Sequence, residues 1–178
     1  MSSTAPEFAD LNRFTSHDDW FVVDWRDGIQ CIRAWAPAER LTEQFHLLAQ
    51  HLATHDDRTV DLFVHDRHHD RRLAGARVEL KDVRDALGRI RLPLSAFGGV
   101  EFSLATASDQ LVLTPELLLV IYARTPRWPF LLEANGFVQR KSVPAPSWRA
   151  AGVMQPNPSV ASALDGLAER LGLTEISA

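Results

Sequence analysis

Between residues 65 and 72 the chain reads HDRHHDRR, its densest run of side chains able to do chemistry. His65, His68 and His69 could ligate a metal or move protons near neutral pH. Arg67, Arg71 and Arg72 could hold a phosphate or carboxylate through charge-assisted hydrogen bonds. Asp66 and Asp70 partly cancel the positive charge, and the competing reading is a solvated loop whose internal ion pairs contribute ~0 to 1 kcal/mol each. Upstream, His51 and His55 stand four apart, a spacing that also invites a metal. If a four-residue turn joins their helix to the strand ending at His65, the two sets stand about 20 Å apart at ~3.3 Å per residue. No metal and no cofactor is therefore expected. His65, Asp66, Arg67, His68, His69, Arg71 and Arg72 are taken as a candidate surface for a small anionic ligand or an acidic partner.

Other chemistry finds little support. Cys31 is the only cysteine, which excludes an internal disulfide and every multi-thiolate metal site. The serines and Cys31 lack the Gly-flanked elbow of an activated nucleophile. Glu101 and Glu116 could act as general acid or base, but no partner is legible for either. Neither a GxxxxGK phosphate loop nor a GxGxxG turn occurs. The balance weighs against an enzyme. Of the five tryptophans, Trp128 and Trp148 stand in Pro-flanked, partly polar surroundings, so they join the candidate binding residues as exposed anchors or as pins holding loops to the body.

One stretch resembles a known family. WPFLLEANGFVQRK, following the apolar run LLLVIYA, is similar to the late strand, helix and Gly-Phe strand of acyl-CoA N-acetyltransferases. The resemblance covers about one seventh of the chain. It implies a basic residue or Gln, two residues, Gly, one residue, then Gly or Ala, cradling a pyrophosphate at a helix start. Arg72-Leu73-Ala74-Gly75-Ala76-Arg77 follows that pattern except at Arg77, which stands where a small residue belongs. The strand candidates VEFSLATA and QLVLT also interrupt the family's order.

The elements that must position these residues are legible in part. Asp27-Gly28 between two β-rich runs predicts a hairpin over 20–35, with Trp20 opposite Trp35 and Val23 opposite Ile32. Phe21, Val23, Trp25, Ile32 and Ala34 then share one face, and the end tryptophans the other. An amphipathic helix is expected over 38–54, a strand over 59–65, a short helix over 78–90, and punctuation at Pro93 and Gly98-Gly99. VEFSLATA, QLVLT and LLLVIYA read as strands, 126–134 as a short helix and 137–140 as a strand. A Pro-rich strap over 143–158 leads to a C-terminal helix over 159–172, and residues 1–17 read as a flexible start.

With 178 residues, 46% of them hydrophobic and 24% charged, the composition is that of a folded globular chain, taken as one domain. The expected class is α+β, a single antiparallel or mixed sheet with helices packed on one face. The net charge of −4 and the lack of a basic, aromatic-laced face speak against nucleic acid. No apolar run approaches the ~20 residues of a membrane span, and MSSTAPEF has no leader pattern. The sequence thus suggests a soluble, cytoplasmic, bacterial-type binding or regulatory protein. Its expected partner is another protein, as for an adaptor, immunity or secretion-associated factor; a ligand-binding or acetyltransferase-like protein is the alternative.

Overall fold

A computed structural model describes residues 19–54, 57–143 and 157–177. The hairpin forms as the sequence suggests. Strands β1 (Trp20–Arg26) and β2 (Ile29–Trp35) pair with Trp20 opposite Trp35 and Val23 opposite Ile32. Asp27 (φ 51°) and Gly28 (φ 78°) both adopt the left-handed backbone of a two-residue type I′ turn. The end tryptophans stack with ring centroids 4.0 Å apart, while Phe21, Ile32 and Ala34 enter the hydrophobic core.

Helix α1 (Ala38–Ala49) follows Pro37, buries Leu41, Phe45 and Leu48, and passes into a 3₁₀ turn, Gln50–Leu52. In β3 (Thr59–Asp66), Val60, Leu62 and Val64 alternate into the core as a half-buried strand requires. The next segment corrects the sequence reading. Arg71–Glu79 is a strand, β4, laddered against β3 from Arg71 to Gly75 and again at Val78 and Glu79, with the Arg77 N–H taken by the Asp61 carboxylate, so the segment is strand and not a phosphate-cradling loop. Helix α2 begins only at Leu80 and runs to Phe97, straight through Pro93. Leu80, Val83, Leu87, Ile90 and Leu94 form its buried stripe, which continues past the proline until Gly98, at φ 54°, ends the helix.

The remaining elements are β5 (Val100–Ala105), β6 (Asp109–Leu113), β7 (Leu119–Ala123), α3 (Trp128–Ala134), β8 (Val138–Gln139), α4 (Pro158–Leu171) and β9 (Thr174–Glu175). Among the described residues nine strands form one mixed sheet in the order β8-β1-β2-β7-β6-β5-β3-β4-β9, an α+β arrangement in which only β8 on β1 is parallel. Buried residues of all four helices join alternate strand residues in one hydrophobic cluster. The expected flexible start, and all but the ends of the expected strap, lie outside the described residues.

Register sorts the turns to two ends of the sheet. Trp25 faces Gln30, Gln30 faces Ala123, and Ala123 faces Asp109, so the β1–β2 turn shares one end with the start of β6 and the start of β3. The β3–β4 turn, carrying the histidines, stands at the other end.

Candidate functional site

The structure brings seven of the nine candidate residues together. His65 and Asp66 end β3, Arg67, His68 and His69 lie in the turn, and Arg71 and Arg72 begin β4. Their side chains are engaged with one another and with the body. Asp66 is buried and accepts hydrogen bonds from the His68 N–H (2.9 Å) and the His69 ring (2.7 Å). Arg67 reaches Glu116 (3.3 Å) and Glu101 (3.9 Å), the two carboxylates that looked like general acid–base candidates in the sequence. Arg71 bridges Asp165 of α4 (2.8 Å) and Glu175 of β9 (3.7 Å), and His65 lies 3.5 Å from Asp70.

The turn also seats on the loop between α2 and β5. The Arg67 N–H donates to the Gly99 carbonyl (2.9 Å), and His68 Nε2 lies 3.1 Å from the Gly98 carbonyl oxygen. A methyl group on Gly99 would fall 2.0 Å from His68 Nε2, so the two surfaces touch as closely as glycine allows. Only the Arg72 guanidinium has no acidic partner here among the described residues, and its Nε is buried without a hydrogen bond. No group of three His, Cys, Asp or Glu side chains among the described residues converges as a metal site would require. His51 feels Arg127 and Arg84, at the end of the sheet away from His65; His55 lies outside the described residues.

Trp128 lies at the opposite end from the histidines and is fully buried, so it is a pin rather than an exposed anchor. Its indole N–H donates to Asp109 at 2.9 Å. The Asp109 side chain, itself sealed from solvent, also accepts from the Arg124 and Thr125 backbone N–H groups, the Thr125 hydroxyl and the Arg127 guanidinium. Burial pushes this carboxyl up, but the hydrogen bonds from Thr125 and Trp128 and the charge of Arg127 outweigh it, leaving its pKa below the usual value. Nothing in the sequence around Asp109 distinguished it from a turn residue. Trp148 lies outside the described residues.

The same end of the sheet carries exposed aromatics that the sequence reading did not single out as binding residues. Trp25 lies on the Phe21 face but is 64% exposed, because it sits at the hairpin tip, beyond the packed part of that face. Tyr122 and Phe130 are also exposed, on β7 and on the helix that Asp109 anchors. Beside Trp25 no strand covers the sheet edge among the described residues. Strand β8 covers β1 only at Trp20 and Phe21, through bonds from the Val138 N–H to the Asp19 carbonyl and from the Arg140 N–H to the Phe21 carbonyl. By the two-residue alternation of a strand, the backbone groups of Val23 and Trp25 point the same way, and no described strand meets them. Asp24 is paired with Arg33 at 2.7 Å, which leaves Arg26 as the cation of that edge without an ion-pair partner among the described residues.

No family model, no curated protein and no solved structure matches the chain. No helix among the described residues is long and apolar enough to cross a membrane.

Proposed function

We propose that this chain is a cytoplasmic bacterial binding or regulatory protein that captures an extended segment of a partner protein along the open edge of β1. The observation that carries the reading is the outward-facing backbone of Val23 and Trp25 beside a Trp25 ring that is 64% exposed. An added strand gains affinity from main-chain hydrogen bonds and specificity from alternate side chains. On one face its apolar side chain would lie against Trp25, an aromatic able to anchor an interface. On the other its side chain would meet Arg26, which favours an acidic residue. Exposed edges of this kind are commonly blocked by a proline, a bulge or a covering element, and none of these stands at Val23 to Arg26 among the described residues. A single cysteine, Cys31, suits a reducing compartment.

Selection of displayed random peptides on the intact protein tests this. Bound sequences should be β-prone, with an apolar and an acidic residue at adjacent positions. Trp25→Ala and, separately, Val23→Pro should each weaken them at least tenfold. The proline removes an outward N–H without touching the β1–β2 ladder. Peptides that bind both variants as well as the parent would refute the reading.

A further inference from the structure

Next to the Asp109 corner, a cavity of about 370 Å³ opens between the starts of β3, the end of β4 and the β5–β6 turn. Its apolar floor includes Leu52 and Val60, and its rim carries Asp57, Asp61 and Arg77 among hydroxyl side chains. The volume falls in the range of small-molecule sites. A β-bulge shapes it. Val60 faces Val78 and Leu62 faces Gly75, so Ala76 and Arg77 together oppose Asp61. Arg77 adopts φ 53°, a left-handed backbone that favours glycine, and its N–H donates to Asp61 Oδ1 at 2.9 Å.

The charges of the rim are only half used. Asp57 Oδ1 accepts from the Thr59 N–H (2.9 Å) and hydroxyl (2.7 Å), while Asp61 Oδ1 takes the Arg77 N–H. The second oxygens of both carboxylates, and the Arg77 guanidinium, have no hydrogen-bond or ion-pair partner among the described residues. The Thr59 hydroxyl and N–H, with Arg77 adding its charge, hold the Asp57 carboxyl below its usual range, so it is ionised at neutral pH. Glycine would serve the bulge with less strain, and what an arginine adds at that position is a planar, bidentate cation in the cavity.

The geometry points to a site for a small zwitterion, a free α-amino acid, with its carboxylate on Arg77 and its ammonium group between Asp57 and Asp61. A purely anionic ligand would meet two carboxylates, and a purely cationic one the guanidinium. Only a ligand carrying both charges satisfies the rim. The site is separate from the β1 edge, five strands away in the sheet, and does not depend on the peptide-binding reading.

Isothermal titration of the intact protein with L-alanine, L-serine and L-leucine, and with acetate and ethylamine as single-charge controls, tests the proposal. At least one amino acid should saturate the protein with a Kd below about 1 mM, with acetate and ethylamine at least ~10-fold weaker. Arg77→Gly should abolish that binding while raising the melting temperature by a few degrees, because it relieves the backbone. Arg77→Lys, which keeps the charge and loses the fork, should bind at intermediate strength. No saturation by any of the three amino acids, acetate binding as tightly as they do, or full affinity in Arg77→Gly would each overturn the inference.

Discussion

The Trp128 indole N–H and the Asp109 carboxylate meet at 2.9 Å and join the start of α3 to the start of β6, in a position where neither side chain is reached by solvent. One buried carboxylate thereby holds the Arg124–Trp128 connection, and with it the helix that carries Phe130, against the hairpin end of the sheet.

Removing this carboxylate should be among the costliest single changes in the chain. Asp109→Ala leaves the buried Trp128 indole N–H and the Thr125 backbone N–H without acceptors and strips Arg127 of its carboxylate, and should destabilise by ~3–5 kcal/mol in urea denaturation. Trp128→Phe removes one charge-assisted bond and should cost about 1.5–3 kcal/mol. Because the folded pKa of Asp109 is depressed, its contribution is complete above the unfolded value near ~4 and is lost as pH falls through the folded one. The acid limb of the stability–pH curve should therefore flatten in Asp109→Asn. A limb of unchanged slope would remove Asp109 from this role.

Gly99 and Gly28 separate crowding from backbone conformation. Both have positive φ, but a methyl on Gly28 meets nothing within 4 Å, whereas one on Gly99 meets the His68 ring. Gly28→Ala should cost about 1 kcal/mol, the price of a left-handed alanine alone, and Gly28→Val at least as much. Gly99→Ala should cost more, and His68→Ala in the same chain should recover part of the loss. Additive effects in that double-mutant cycle would show that the two residues do not press on each other.

His46 and His51 set a trend of the same sign nearer neutrality. Burial, followed by Arg84 and Arg91 for His46 and by Arg127 and Arg84 for His51, lowers both folded pKa values below the unfolded ~6.5. The unfolded chain then binds more protons in the window beneath 6.5, so stability should fall as pH drops from 7.5 toward 5.5. Replacing both histidines with glutamine should reduce that slope, measured by denaturant midpoints across the range.

Arg71 stitches the C-terminal elements to the sheet through Asp165 and Glu175. Both carboxylates are more than half exposed, so Arg71→Ala should cost no more than about 1 kcal/mol globally. Its local effect should be larger: hydrogen exchange in α4 and β9 should quicken while that of β5–β7 is unchanged. Uniform quickening would mean that Arg71 supports the whole fold.

Local chemistry explains what was legible in the chain itself. Asp-Gly between β-rich runs specifies a turn that needs two positive φ angles, and the turn in turn fixes the pairing of Trp20 with Trp35. The stripes of α1 and α4 follow from 3.6-residue periodicity, and the alternation of β3 from the two-residue pleat. Where periodicity was ambiguous, tertiary pairing decided. Residues 72–77 became strand because β3 offered them a ladder, and α2 crossed Pro93 because Leu94 was still wanted in the core. The candidate sites depended on long-range placement more strongly still. Arg67 and Arg71 of the histidine turn find carboxylates up to 104 residues away in sequence, as Arg71 does in Glu175. The strand order that sets β8 beside only two residues of β1 leaves Trp25 uncovered, and the bulge that turns Arg77 into a cavity exists only where β4 meets β3. The sequence alone determined which segments bury a face, because that depends on neighbours within a few residues; which polar groups end up satisfied or open was decided by the fold, because their partners come from distant parts of the chain.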